Sequence, residues 1–199
     1  MNPTATRTVL RERCRETVSA CQDNVLTLSH SLHAEPELAY EEHKSARKIA
    51  DLVERARFAV ERGVCDLPTA FTATAGSGDL VIGICAEYDA LPGIGHACGH
   101  NVNGAAAVTA ALALAAVADG VGVTVKLLGT PAEEYGCGKV DMLHGGAFDD
   151  VAAAMMVHAA PADAIGLSAL AISSWKVAYT GQAVHAAAIR PAESTRPTP

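Results

Sequence analysis

One stretch, residues 80–104, limits the fold of this 199-residue chain more than any other. It begins with Leu80 to Ala86, a nearly unbroken apolar run that is typical of a strand covered on both faces of a sheet. Two acids, Glu87 and Asp89, follow at once, and a turn rich in Pro and Gly comes next. The run therefore predicts a buried strand whose C-terminal end carries polar side chains.

The turn leads into a segment dense in imidazole and thiol groups. His96, Cys98 and His100 alternate with small residues, so an extended backbone would direct all three side chains to one side. Asn101 or Asn103 is then expected to cap a helix that opens just after them. The stretch as a whole is predicted to run from a strand, through a chemically dense loop, into a helix.

Two later stretches repeat this design. Residues 123–128 are apolar but for one lysine and lead to the adjacent acids Glu133 and Glu134, and residues 152–157 are apolar and end on His158. In open α/β sheets, ligands bind in the crevice at the carboxyl ends of the strands. The acids, thiol and imidazoles of all three stretches are therefore predicted to meet there.

The order of the patterns predicts the fold class. Helix and strand patterns alternate up to about residue 157, so we expect an α/β fold with three layers, α/β/α, around a mostly parallel sheet. The remaining predicted elements are helices over about 6–32, 40–57 and 104–118, strands over 58–64 and 69–75, and a short helix within 136–146. After Pro161 the sequence becomes β-leaning, which predicts the start of a second, antiparallel-type element.

Composition excludes several classes of function. The net charge is −7 and no basic cluster occurs, which argues against a nucleic-acid partner. The six cysteines are scattered without a CxxC pair, and the N-terminus lacks the apolar core of a signal peptide, so we expect reduced thiols in a cytoplasmic protein. The longest apolar stretch, residues 105–118, is too short to span a bilayer, and no membrane partner is expected.

The donor types at the three strand ends point to a metal. Thiolate, neutral imidazole and carboxylate together suit Zn²⁺ or a similar ion, and the candidate ligands are Cys98, His100, Glu134 and His158. Taken alone, the Cys-Gly-His at 98–100 is a weak signal, and the acid pair could simply favour a helix N-terminus. The combination of all four residues favours the metal site.

Two further acids have candidate roles beside the metal. Glu133 and Glu134 point oppositely in an extended backbone, so one can hold metal while Glu133 faces the substrate as a general base. Asp89 either orients a ligand imidazole from behind or caps a turn. Glu87, His96 and Cys137 receive no role, and His30 and His33 are interpreted as structural.

Several motifs resemble one known family. They are AEYDALPGIGHACGHN at 86–101, GTPAEEYGCGK at 129–139, GAFDDVAAAMMVH at 146–158 and YTGQAVHAA at 179–187, with LSHSLHAEPELAYEE at 28–42 as an opening helix motif. Together they resemble the amidohydrolase branch of the aminoacylase-type metallopeptidases, peptidase family M20. The likeness covers about residues 20–190.

The resemblance implies specific roles by position. The residues that match metal ligands of the family are Cys98, His100, Glu134 and His158. Glu133 resembles the general base, Asp89 the supporting acid, and His185 a lid histidine that stabilises the developing oxyanion. Two divalent ions are implied, zinc, manganese or cobalt, in a zinc-exopeptidase-like α/β domain with an inserted α+β lid through which the full-length form makes a homodimer.

The resemblance also implies a domain organisation. Residues 1–164 match the N-terminal part of the catalytic domain, 165–190 the beginning of the lid and dimerisation domain, and 191–199 a disordered or non-native tail. The family places one more ligand histidine near the end of a much longer chain. We therefore expect a truncated chain with impaired metal affinity and activity.

Three functional hypotheses follow. The first is a metal-dependent amidohydrolase that cleaves N-acyl amino acids, aminobenzoyl-glutamate-like compounds or dipeptides. The second is an inactive fragment that binds metal or a partner subunit without catalysis. The third is a cysteine hydrolase that uses Cys98 with His158, which is disfavoured because a cysteine nucleophile does not explain the paired acids.

Overall fold

The computed structural model describes residues 3–166, 175 and 177–180. Its backbone forms two compact units, residues 1–161 and 162–199, and the elements below belong to the first. His185, most of the expected lid segment and the expected tail at 191–199 lie outside the described residues. The predicted boundaries at 164 and 190 therefore stay predictions.

The first unit is a five-stranded sheet with helices on both faces. The strands are β1 (Ala59–Arg62), β2 (Phe71–Gly76), β3 (Leu80–Ala86), β4 (Val123–Gly129) and β5 (Val151–Met155). The helices are α1 (Pro3–Ala34), α2 (His43–Arg55), α3 (His100–Val121) and α4 (Gly138–His144), with a short 3-10 turn at Val64–Asp66. The α/β class predicted from the sequence is confirmed.

The strand order, β1-β2-β4-β3-β5, puts the three chemistry-bearing strands side by side. β3 pairs in parallel with both β4 and β5, whereas β2 pairs antiparallel with β4 and with β1. Because β3, β4 and β5 run the same way, their carboxyl ends share one edge of the sheet. The sheet is parallel where the site lies and antiparallel at its N-terminal edge.

The sheet has a buried core on each face, as the three-layer prediction requires. On one face, helices α1, α2 and α3 pack Leu32, Ile49 and Val108 against Ile84 and Leu127 of the sheet. Neighbouring residues of a strand point to opposite faces. The next residue of β4, Leu128, accordingly packs with Met142 of α4 on the other face.

α3 is the central helix of the larger core. Among the described residues it is the one helix that is long and apolar enough to cross a membrane, by length and composition alone. Here it packs on α1, β3 and β4, and ten of its 22 residues are buried. A place between α1 and the sheet requires apolar residues around most of the helix, which explains its alanine-rich composition.

The start of α3 differs from the prediction. The helix opens at His100 rather than Gly104, because Gly99 takes a left-handed conformation (φ 79°) that turns the chain directly into it. Asn101 and Asn103 thus lie inside the helix, and the prediction that one of them caps it was wrong. The extended backbone expected around His96 was wrong too, because this segment turns, with the Gly99 N–H bonded to the His96 carbonyl.

Candidate active site

Polar side chains collect at the carboxyl ends of the three parallel strands. Glu87 follows β3 directly, Glu133 and Glu134 lie in the loop after β4, and His158 lies just past β5. His100, the first residue of α3, stands among them. Five of the side chains that the sequence placed at strand ends or beside them are thereby brought to one edge of the sheet.

His100 is the centre of this group and is held from behind by Asp89. The His100 side chain is 1% exposed, and its Nδ1 lies 2.9 Å from Asp89 Oδ1 and 3.0 Å from the Asp89 carbonyl oxygen. Both of these oxygens are acceptors, so Nδ1 carries the proton and Nε2 keeps its lone pair. Asp89 Oδ2 accepts the backbone N–H of Glu134 at 2.9 Å. One carboxylate thus orients the imidazole and anchors the neighbouring acidic loop.

The pKa values of this pair show how strongly the two groups interact. Burial alone would raise the pKa of Asp89, but hydrogen bonds from His100 and Glu134 outweigh it and hold that pKa below its ordinary value. Burial would likewise lower the pKa of His100, yet the surrounding carboxylates, Asp89 foremost, raise it. Negative charge therefore dominates the space around the imidazole.

Carboxylates surround the free nitrogen of His100. Its Nε2 lies 3.4 Å from Glu87 Oε2, 3.8 Å from Glu133 Oε2 and 3.8 Å from Glu134 Oε1. Although both are buried, Nε2 of His100 and Oε2 of Glu87 have no hydrogen-bond partner among the described residues. Buried polar atoms without partners are uncommon and point to a group that would complete the site.

His158 approaches the same place from β5. Its Nε2 lies 3.8 Å from Glu87 Oε2, and its ring lies edge-on to that of His100, with 5.5 Å between the centroids. The Ala159 N–H donates to Asn103 Oδ1 at 2.8 Å, which ties this segment to the first turn of α3. A Cβ on Gly99 would lie 2.7 Å from the Cβ of Ala159, so glycine permits this close approach.

Cys98 joins the group through Glu134. Its thiol hydrogen-bonds to the Glu134 side chain, and this bond, burial and the nearby carboxylates together raise the pKa of Cys98 to about 11. A thiol with that pKa is protonated at neutral pH unless a cation displaces the proton. The environment disfavours a cysteine nucleophile and is compatible with a thiolate that forms on cation binding.

The donor atoms form two groups that could each hold a cation. Among the described residues, Glu87, His100 and His158 make one group, and His100, Glu133 and Glu134 make the other; within each, the donor atoms lie within 4.8 Å of one another. Ligand atoms at ~2.0–2.3 Å from one ion lie up to about 4.5 Å apart. Together with the unpartnered buried atoms, these spacings fit a divalent cation.

Glu87 and Lys139 are the residues that sequence reasoning missed. Glu87 is 2% exposed, one of its oxygens contacts Lys139 Nζ, and the other is directed at His100 and His158. Its place as the first residue after a buried strand, the same signal that singled out the other acids, was the clue. Lys139 gives no such signal because its partner is set by the fold.

Two other candidates have different places. His96 is buried, and its ring stacks on that of His33 at 6.5 Å between centroids. Cys137 is exposed, and its backbone N–H donates to the Tyr40 hydroxyl at 3.1 Å. Neither belongs to the two groups of donors, in agreement with the absence of an assigned role.

Fold and donors together define the class: an α/β protein with a candidate divalent-cation site at the carboxyl ends of its parallel strands. Residues 83–194, more than half of the chain, match the model of peptidase family M20/M25/M40. The chain belongs to this family, and the resemblance inferred from its motifs is confirmed.

Relatives and solved structures agree. The chain is 38% identical to an Xaa-Arg dipeptidase of Mus musculus, over 90% of this chain and 45% of the relative, and 37% identical to a p-aminobenzoyl-glutamate hydrolase component of Escherichia coli K12, over 86% and 40%. A Bacillus subtilis crystal structure, described as a dinuclear metal-binding peptidase of the M20 family, aligns with a TM-score of 0.63 at 29% identity and covers 68% of this chain and 42% of its own. The chain spans less than half the length of these proteins.

Proposed function

We propose that the protein is a metal-dependent hydrolase of amide bonds. The observation that carries the proposal is the buried His100, whose unpartnered Nε2 faces Glu87, Glu133 and Glu134 while Asp89 holds its other nitrogen. Family membership and the hydrolase relatives support the same reaction class. The cytoplasmic location and the homodimer of the full-length form belong to this proposal as expectations from the sequence.

The residues proposed to hold two divalent ions (zinc, manganese or cobalt) are those expected from the sequence, namely Cys98, His100, Glu134 and His158. The donor distances add Glu87 to the candidates. A relative described as dinuclear supports the number of ions. When bound, such ions supply Lewis-acid polarisation of the scissile carbonyl and of the attacking water.

Glu133 is proposed as the general base. Its side chain is 41% exposed, whereas that of Glu134 is 16% exposed and is tied through its backbone to Asp89. Burial and the charge of Glu87 raise the pKa of Glu133, although Lys139 and His100 partly offset this, and a less acidic carboxyl is a better proton acceptor. Glu133 would take a proton from the attacking water and deliver it to the leaving amine.

The proposed substrates are N-acyl amino acids, aminobenzoyl-glutamate-like compounds and dipeptides. The compounds for which the relatives are named, Xaa-Arg dipeptides and p-aminobenzoyl-glutamate, share an amide bond to an amino acid. Water adds to the carbonyl carbon, the C–N bond breaks, and an acid and an amine result. His185, which lies outside the described residues, is proposed to stabilise the oxyanion that forms on the way.

The test is turnover of Glu133→Gln. The 199-residue chain is loaded with Mn²⁺, Zn²⁺ or Co²⁺ in turn, and amine release is followed from a panel of dipeptides and N-acyl amino acids. Loss of a positioned acid/base is expected to lower kcat at least ~10²-fold. The matched control is Glu61→Gln, an exposed glutamate of β1, which should turn over like the wild type.

Each outcome has a consequence for the proposal. Near-normal turnover of Glu133→Gln would remove Glu133 from the mechanism. Cation binding without turnover of any substrate would favour the alternative of a non-catalytic chain that binds metal or a partner. Activity that resists chelators but is lost on alkylation would favour the cysteine hydrolase.

A further inference from the structure

Residues 37–42, which lie between α1 and α2, contact both loops that carry the acids of the candidate site. On one side, the Ala90 N–H, in the loop after β3, donates to the Glu37 carbonyl at 2.8 Å. On the other side, the Ala132 N–H, in the loop after β4, donates to Glu42 Oε1 at 2.8 Å. A segment outside the sheet therefore connects the Asp89 loop with the Glu133–Glu134 loop.

The Glu42 contact acts on a strained backbone. Ala132 has a φ of 56°, a left-handed conformation that costs energy for a residue with a Cβ, and it directly precedes Glu133 and Glu134. The surroundings must stabilise such a conformation for it to persist. Glu42, fully buried at 0% exposure, provides the acceptor that fixes this peptide unit.

Tyr40 holds the same loop further along. Its hydroxyl accepts the Cys137 N–H at 3.1 Å and donates to Asp141 Oδ2 at 2.9 Å. A Cβ on Gly136 would lie 2.7 Å from Tyr40 Cε2, so the phenol ring lies directly against the loop backbone. The loop is thus held before its acid pair by one residue of the segment and after it by another.

We propose that Glu42 and Tyr40 are positioning residues that set the carboxylates of Glu133 and Glu134 against His100. The inference rests on the proposed function of those two acids. Neither Glu42 nor Tyr40 belongs to the two groups of donor atoms, and both act through the backbone of the loop. Sequence reasoning gave them no role, because their partners lie about ninety to a hundred residues away in the chain.

The test compares Glu42→Leu, which removes the acceptor, with Glu42→Gln, whose amide oxygen can still accept the Ala132 N–H. The control is Val53→Ala, a buried residue of α2 that contacts neither loop by hydrogen bonding and whose truncation destabilises the same helix layer. All are made in the 199-residue chain. The readouts are amide hydrogen exchange by NMR, and Co²⁺ affinity with the visible absorption spectrum of the bound Co²⁺.

For Glu42→Leu we expect exchange of the Glu134 and Cys137 amides to accelerate at least about tenfold relative to the Leu127 amide of β4, because a hydrogen bond to a carboxyl is lost. Co²⁺ affinity should fall roughly 10–100-fold with an altered spectrum, as for changes behind metal ligands. Glu42→Gln should restore both readouts. Val53→Ala should lower the unfolding midpoint without either selective change.

Equal acceleration at Glu134 and Leu127, or an unchanged Co²⁺ spectrum and affinity in folded Glu42→Leu, would overturn the positioning role. If the wild type binds no Co²⁺, the proposed metal function fails, while the exchange data still decide whether Glu42 fixes the loop. If Glu42→Leu does not fold, Tyr40→Phe, at a position 38% exposed, decides instead. Faster exchange at Cys137 with weaker Co²⁺ binding supports the proposal, and no change in either overturns it.

Discussion

Single carboxyl groups in this protein have pKa values set by opposite causes. Asp89 is buried, yet hydrogen bonds from His100 and the Glu134 backbone keep its pKa below the ordinary value. Glu42 is buried as well, but burial outweighs the hydrogen bonds that it accepts, and its pKa is raised. Asp89 is therefore held as an anion ready to orient a neighbouring imidazole, while Glu42 favours its neutral form.

The raised pKa of Glu42 predicts a dependence of stability on pH. Below the ordinary glutamate pKa of 4.5, Glu42 is protonated in the folded and unfolded states alike, and burial imposes no charge penalty. As the pH rises through the folded pKa, the unfolded state loses its proton first, so the wild type loses about 1.4 kcal/mol for each unit that separates the two pKa values. Glu42→Gln has no such loss.

We therefore expect Glu42→Gln to gain stability relative to the wild type as the pH rises from about 4 to about 8, measured by urea unfolding at each pH. Glu61→Gln, at an exposed position of β1, should follow the wild type at every pH. A constant difference between Glu42→Gln and the wild type across this range would contradict a raised pKa at Glu42.

At the residue scale, sequence reasoning succeeds where the chemistry follows a strand directly. Glu133, Glu134 and His158 could be chosen because each comes shortly after an apolar run, and the structure brings all three to His100 or Glu87. Residues such as Tyr40 and Lys139 could not be found this way. Their contacts depend on how distant elements pack, which no local pattern encodes.

Among the elements, the turn into α3 has the strictest steric requirement near the site. Gly99 has a φ of 79°, and a Cβ there would lie 2.7 Å from the Cβ of Ala159, next to His158. Gly99→Ala is therefore expected to cost the backbone penalty of about 1–2 kcal/mol plus about 1–3 kcal/mol from the clash. Relief of the clash would move His158, so Co²⁺ affinity should fall as well.

Gly93 is the matched control for this prediction. It has a φ of 78°, but a Cβ there would have no atom within 4 Å. Gly93→Ala should therefore show the backbone penalty alone, and urea unfolding of both variants separates the two contributions. Equal losses of stability, with unchanged Co²⁺ affinity in both, would mean that the close approach of Gly99 to Ala159 is unimportant.

The same turn explains where prediction of the elements failed. β3 could be predicted to the residue because its apolar run ends abruptly at Glu87. The start of α3 was placed too late because asparagines are good helix caps, whereas the actual boundary is a left-handed glycine. A glycine between a cysteine and a histidine can serve either purpose, and only packing against Ala159 distinguishes them.

On the scale of the whole first unit, hydrogen bonds already join the three strand ends without a cation. The Thr130 N–H, after β4, donates to the Ala86 carbonyl of β3 at 2.8 Å, and the Ala159 N–H, after β5, donates to Asn103 of α3. The parallel order β4-β3-β5 could be expected from alternating helices and strands. The antiparallel β1 and β2 could not, because strand direction at a sheet edge depends on the connections.

Because the proposed donors come from separate strand ends, a bound cation should stabilise the folded unit against unfolding. At a free Mn²⁺ concentration of 100 times Kd, mass action predicts about 2.7 kcal/mol of added stability, which thermal unfolding reports as a rise in Tm. His158→Ala, at a side chain 39% exposed and hence tolerant of truncation, should lose most of that rise. His144→Ala, at an exposed position of α4, should keep it. An equal rise in Tm for both variants would mean that the cation does not link β5 to the other strand ends, and the site would then be confined to the loops after β3 and β4.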